Sequence, residues 1–218
     1  MNKWIILLTM AINNPSNSIK DSDFRKVLYI NQINKWLNET NYDIVVVESS
    51  GYNFPEIKHE RLHKVIFKFD TNLSSSSQYE ALSISRALKD IRNKNFYINC
   101  THILKVTGRY FLKDITNHLN NVEQNKDLYL QKHFNNKKKW QNSEYYGIKK
   151  ELYDLFIEGG VKKIGLMEDE LFKFAISTCI SQHVGIFKLL FNIFFIMFIS
   201  IIITNLLKLL KTYSGNSS

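Results

Sequence analysis

Trp4-Ile5-Ile6-Leu7-Leu8-Thr9-Met10-Ala11-Ile12 is an unbroken apolar run near the start of a 218-residue chain. Two readings of it compete. Behind Met1-Asn2-Lys3 the run imitates a secretory signal, but it is short for one. The following Asn13-Asn14-Pro15-Ser16 offers no small-residue cleavage site. The other reading is a strand covered on both faces, for which a continuous run of strand length is the expected pattern. A sheet covered on both faces needs helices between its strands, so the second reading implies an α/β fold.

The rest of the first half supplies those helices and strands in alternation. Residues 22–37 carry Phe24, Val27, Leu28, Ile33 and Trp36 at helical spacing, with Asp21 or Ser22 as N-cap. Ile44–Val47 is a β-branched strand ending in Glu48-Ser49-Ser50-Gly51, and Val65–Phe69 is a third strand. Ser77 and Glu80 form a capping-box pattern opening a helix with Ile84, Ala87, Leu88 and Ile91 on one face. A strand at 103–106, a helix near 111–120 and a strand at Leu128–Leu130 follow. Residues 133–144 are polar, basic and short of periodicity, and read as a ligand-side loop or simply a surface excursion. A short helix over 149–158 stops at Gly159-Gly160, and another starts near Glu168. The order βαββαβα predicts one α/β (Rossmann-like) domain with a mostly parallel sheet, over residues 1–185.

The C-terminus has a different composition. Leu189 to Leu207 is dominated by Ile, Leu and Phe, carries no charge, and lies between Lys188 and Lys208. At about 1.5 Å per residue it nearly spans the ~30 Å bilayer core. The expectation is a single-pass C-terminal membrane anchor over residues 186–211, with 212–218 as a short tail. A very apolar core or dimer helix is the competing reading. Lysines at both ends leave the orientation open.

Apolar content of 44% and charged content of 22% are ordinary for a globular protein. The net charge of +9 suits anionic partners such as nucleotide diphosphates or lipid headgroups. Nucleic acid fits less well, because the lysines are scattered and the one dense run, Lys137-Lys138-Lys139, sits among Asn residues. Cys100 and Cys179 have no CxxC spacing and give no metal framework.

The chemistry-bearing stretch is Ile103-Leu104-Lys105-Val106-Thr107-Gly108-Arg109-Tyr110, a strand running into a Gly and an Arg. Gly permits close backbone approach to a ligand, and Arg offers a fork of donors suited to phosphate. In α/β sheets ligands bind in the crevice beyond the carboxyl ends of the strands. Tyr42–Gly51 (YDIVVVESSG), Ser75–Leu88 (SSSQYEALSISRAL), Ile103–Tyr110 and Gly165–Phe172 (GLMEDELF) occur together in that order. Over roughly residues 3–180 the chain resembles a group of small glycosyltransferases with a GT-A-like fold, found in large DNA viruses and bacterial polysaccharide gene clusters.

The resemblance implies a nucleotide-sugar donor bound at the carboxyl edge of the sheet and a glycan or glycolipid acceptor. It makes Glu48, Ser49, Ser50 and Gly51 part of the nucleotide seat and turns Glu80 toward donor or acceptor. Arg109, with Lys105, Thr107 and Gly108, is assigned to the diphosphate, where leaving-group charge must be offset. Lys105 has the alternative of a surface lysine with a snorkelling head. Many GT-A enzymes hold a divalent metal with an Asp-x-Asp pair at this place. Here it reads Thr107-Gly108-Arg109, and the sole Asp-x-Asp, Asp21-Ser22-Asp23, opens the first helix. Metal dependence is therefore open, and no metal ligand is assigned. An inverting transferase needs a carboxylate base for the acceptor hydroxyl, and Glu168 or Asp169 is the expected one. A retaining route needs no such base. The departure from the metal motif keeps a second class in play, a membrane-anchored nucleotide- or glycan-binding module without turnover.

One rival motif crosses this reading. His59-Glu60-Arg61-Leu62-His63 matches H-E-x-x-H, in which two His on a helix hold zinc and the Glu serves as base of a metalloprotease. Pro55 and the strand expected from Val65 leave little room for that helix. Two surface histidines in a connecting loop are the expectation.

Overall fold

A computed structural model describes residues 3–13, 19–69, 76–121, 127–130, 134–135, 140–141 and 144–153. The chain divides into two compact units, Met1–Lys173 and Phe174–Ser218, and every described residue belongs to the first. Its elements in chain order are β1 (Trp4–Met10), α1 (Ile19–Glu39), β2 (Asp43–Glu48), β3 (Leu62–Ile66), α2 (Ser76–Ile91), α3 (Asn95–Ile98), β4 (His102–Thr107), α4 (Ile115–Asn120), β5 (Leu128–Leu130), β6 (Phe134–Asn135), β7 (Trp140–Gln141) and β8 (Tyr145–Lys149).

Six strands form one sheet in the order β3-β2-β1-β4-β8-β5, with β6 and β7 as a separate two-stranded ribbon. β3, β2, β1 and β4 pair in parallel, while β8 runs antiparallel to both β4 and β5. Only β8 is reversed, so the sheet is mostly parallel, as the alternating pattern predicts. All seven residues of β1 are buried, which is what an unbroken apolar run in a doubly covered central strand requires.

The two faces of the sheet divide the core. Ile6, Leu8, Ile44, Val46, Leu104 and Val106 point to one face, where Ile33, Trp36 and Leu37 of α1 pack on them. The alternate residues, among them Leu7, Thr9, Val45 and Lys105, point to the other. There α2 lies against β1 and β2, with Ala81, Ile84, Ala87, Leu88 and Ile91 buried. Arg61 closes the end of α1 by donating to the carbonyls of Leu37 (2.5 Å), Thr40 (2.8 Å) and Tyr42 (2.8 Å). Leu37 is among the carbonyls that the end of α1 leaves without intrahelical partners, and Thr40 and Tyr42 belong to the turn that follows it.

Several sequence expectations shift. Phe24 and Val27 are 70% and 58% exposed rather than on the buried stripe of α1. At about 100° per residue Phe24 lies half a turn around the helix from Ile33, the residue that sets the buried side. β3 begins at Leu62, three residues before the expected Val65. β8 is absent from the sequence reading, and part of the excursion at 133–144 forms the ribbon. The helix expected from 149 starts at residue 150 and is described to 153. Among the described residues no helix is long and apolar enough to cross a membrane. Residues 186–211 and 212–218, the expected anchor and tail, lie outside them.

Candidate functional site

β1 lies between β2 and β4, and the chain leaves it in one direction through α1 and returns on its other side after α2. This reversal of strand order opens a crevice beyond the carboxyl ends of the strands, the usual ligand position in such sheets. A cavity of about 460 Å³ occupies it, within the size range of small-ligand sites. Its wall combines Thr9 and Met10 of β1, Arg25 and Tyr29 of α1, Ser49 and Ser50 after β2, and Lys68 and Phe69 after β3. The remaining side comes from Tyr79, Glu80 and Ser83 of α2 with Thr107 at the end of β4.

Glu48 organises one rim. It is fully buried, and its Oε1 accepts from the Ile12 amide at 3.0 Å and from the Ser50 hydroxyl. Oε2 accepts from the amides of Ser50 (3.0 Å) and Tyr52 (2.8 Å). The Ser50 hydroxyl in turn accepts from the Asn13 amide at 3.0 Å. This carboxylate therefore ties the loop after β1 to the loop after β2, and its oxygens are spent on the protein's own donors. The sequence reading had it seat the nucleotide, and the structure makes it the post that holds Ser49 and Ser50 against the cavity. The Ser49 amide and hydroxyl both donate to the Met10 carbonyl, at 3.1 and 3.3 Å. Gly51 takes the left-handed φ of 95° that lets the loop turn back.

Lys105 is not a surface lysine. Its side chain is 0% exposed, and its ammonium sits 2.7 Å from Glu80 Oε1 and donates to Thr107 Oγ1 at 3.1 Å. The Tyr146 ring lies 5.5 Å away. Thr9 Oγ1 donates to the same Glu80 oxygen at 2.8 Å. A buried cation must be paired, and here the partner is a carboxylate on the cavity wall. The capping-box role expected of Glu80 gives way to this bridge between α2, β1 and β4. Lys105 does not itself line the cavity; it stands behind Glu80, which does.

Gly108 packs directly under the Met10 side chain. A Cβ there would come within 2.3 Å of Met10 Cγ and 2.6 Å of its Cε. Arg109 is exposed, with its guanidinium 5.0 Å from the Tyr110 ring centre, and is not among the residues lining the cavity. Its charge still reaches Tyr29 on the cavity wall. Burial pushes that phenol above its ordinary range, while Arg25 and Arg109 pull it back. Two cations that do line the cavity, Arg25 and Lys68, were not singled out from the sequence. Arg25 Nη1 also donates to the Ala11 carbonyl at 3.3 Å. Arg25 lies in the helix after β1 and Lys68 just past β3. Lys68 carries a local signal as a cation at a strand's carboxyl end, whereas Arg25, well inside α1, is brought to the crevice only by the fold.

Glu168 and Asp169 lie outside the described residues. The H-E-x-x-H pattern does not form a helix. His59 stands in an exposed turn, where its Nδ1 accepts from the Arg61 amide at 3.1 Å. His63 belongs to β3, with Nε2 3.1 Å from Asp43 Oδ1 and its ring stacked 3.7 Å from that of Phe96. The two imidazoles have different partners on different elements, which overturns the metalloprotease alternative. Among the described residues no three His, Cys, Asp or Glu side chains gather as a metal site.

No family model matches the chain, and no curated protein matches it. Solved structures do. One, a protein of Desulfovibrio desulfuricans G20 named provisionally as a nucleotide-diphospho-sugar transferase, is 13% identical with a TM-score of 0.46. The match covers 79% of this chain and 75% of that one.

Proposed function

We propose that the chain is a GT-A-like glycosyltransferase, moving a sugar from a nucleotide-sugar donor to a glycan or glycolipid hydroxyl and tethered to a membrane by residues 186–211. The observation that carries this reading is the cavity at the strand-order reversal, whose wall joins two cations, Arg25 and Lys68, with hydroxyls and one carboxylate. A diphosphate asks for the cations, and the hydroxyl-rich remainder of a nucleotide sugar asks for the acceptors.

In the proposed reaction an acceptor oxygen attacks the anomeric carbon. The bond from that carbon to the distal phosphate oxygen breaks, and the nucleoside diphosphate departs with the bonding pair. Arg25 and Lys68, with the charge of Arg109 that reaches the cavity wall at Tyr29, offset the charge gathering on the leaving group. Glu168 or Asp169 takes the acceptor proton if the outcome is inverting. The residues ending β4 do not fit a divalent cation. Thr107 is engaged with Lys105, Gly108 packs under Met10, and Arg109 brings positive charge where an Asp-x-Asp pair would bring negative. No step is routed through a metal.

The test is a donor screen on the full-length protein in detergent, scoring nucleotide-sugar hydrolysis, transfer and thermal shift. A working donor should lose at least about 10²-fold in turnover with Arg109→Ala, the cost typical of removing one charge-stabilising donor. Arg109→Lys should recover only part, because a point charge replaces a fork. Undiminished turnover in the Ala variant refutes the role of Arg109. Stabilisation by nucleotides with no turnover on any donor favours the non-catalytic binding module, the reading that the missing carboxylate pair supports.

A further inference from the structure

Lys105 stands where an apolar residue would serve the fold. It lies on the central parallel strands, fully buried, on the sheet face against which α2 packs. Replacing a buried ion pair by well-packed apolar residues is often neutral or stabilising, so the pair is weak as a stability device. A buried cation held against a carboxylate that lines a cavity instead has the form of a binding site, where a few convergent polar groups fix a ligand.

The bonding of Glu80 says what that work is. Its Oε1 takes both bonds, from Lys105 at 2.7 Å and Thr9 at 2.8 Å. The side chain is 19% exposed and lines the cavity. Among the described residues no hydrogen bond engages Oε2, which leaves it as the acceptor for a ligand. An ionised carboxylate oxygen only accepts, so it repels phosphate and selects O–H or N–H donors. Arg25 and Lys68 in the same cavity only donate. Glu80 is anchored at β1 and β4, whereas Lys68 follows β3 beyond β2, so acceptor and donor stand on different sides of β1.

We propose that Glu80 accepts hydroxyl groups of the carbohydrate part of the ligand, ribose or transferred sugar, and that Lys105 is the positioning residue that fixes its carboxylate for this. The proposal rests on the nucleotide-sugar reading above and narrows the expected role of Glu80, facing donor or acceptor, to the hydroxyls of the donor. A charge-assisted hydrogen bond of this kind corresponds to roughly 10- to 10²-fold in affinity.

The experiment titrates full-length protein with ADP, GDP, CDP and UDP, each beside its 2′,3′-dideoxy counterpart, and with UDP-glucose and GDP-mannose. Wild type should bind a ribonucleotide about 10-fold or more tighter than its dideoxy form if ribose is the partner. If the transferred sugar is the partner, the intact nucleotide sugar should exceed its nucleoside diphosphate by that margin. Glu80→Gln keeps an oxygen for Lys105 and Thr9 but turns the cavity-side acceptor into a donor. It should cut the discrimination to about threefold or less while leaving dideoxy binding unchanged. Lys105→Met should do the same, an effect on a ratio that a purely structural role would not produce. If that variant does not fold, Glu80→Gln decides alone. Equal weakening of hydroxylated and dideoxy ligands by Glu80→Gln overturns this inference and leaves the transferase reading standing. Failure of every nucleotide to bind wild type overturns both.

Discussion

Glu48→Ala removes one carboxylate and strands four donors at once. The Ile12 amide is in a buried bond, while the amides of Ser50 and Tyr52 and the Ser50 hydroxyl are in half-buried ones. A buried donor left unpaired costs about 1–3 kcal/mol, and half-buried ones recover part of that from water. Taking about 2 kcal/mol for Ile12 and about 0.5 kcal/mol for each of the others gives a loss of about 3–4 kcal/mol. With total stabilities of about 5–15 kcal/mol this is a large fraction. Glu48→Gln is no rescue, since its amide NH2 would face backbone N–H groups in either orientation, and about 2 kcal/mol should be lost. Urea unfolding followed by fluorescence of the buried Trp4 and Trp36 reads the change. At a slope of about 2 kcal/mol/M the midpoint should fall by about 1.5–2 M for Ala. A fall under about 0.3 M with an unchanged slope would refute the post-like role of Glu48.

Gly108→Ala places a methyl 2.3 Å from Met10 Cγ and should cost about 1–3 kcal/mol by overpacking; Met10→Ala in the same chain should return part of it, and additive losses would contradict the contact. Burial pushes the Cys100 thiol up to about 11 from 9.0. The native state therefore holds its proton longer than the unfolded one, so this contribution is present below about pH 9 and lost as pH rises through 11; in a Cys179→Ser background, iodoacetamide at pH 9 should label urea-unfolded protein far faster than native. His59→Ala should leave the unfolding free energy from urea titration within about 0.5 kcal/mol of wild type, as exposed positions do. Added zinc should leave the melting temperature unchanged, and a zinc-dependent rise lost with His59→Ala would restore the metal reading.

The sheet's parallel half was readable because burial on both faces demands continuous apolar runs, and Trp4–Met10 and Ile44–Val47 supply them. β8 was not, for a reason visible in its packing. Its middle residue is Gly147, a weak strand former by propensity, yet a Cβ there would lie 3.0 Å from the Trp4 ring and 3.3 Å from Tyr129 Cβ. The strand is crowded at this glycine by a residue 143 positions away, and no local pattern carries that. The site divided in the same way. Thr107 and Ser50 were found from their places at strand ends, whereas the partners of Glu48, Glu80 and Lys105 depend on which strands become neighbours. Glu80 fitted a local capping box equally well, and only the β1–β4 pairing shows its carboxylate answering Lys105 instead.

That pairing also fixes when the cavity can exist. β1 and β4 match Ile5 with Ile103 and Thr9 with Thr107, so their ladder closes a loop of nearly half the chain. Closure over such a separation is costly in entropy and slow compared with local contacts. A nascent chain that has reached α2 already holds Thr9, Glu48 and Glu80, but Glu80 has no cation to answer it. Lys105 and Thr107 arrive with β4, and only then does the carboxylate gain its orientation. Ligand binding at this crevice is therefore a readout of β1–β4 closure, and damage to that ladder should silence the site before it melts the helices.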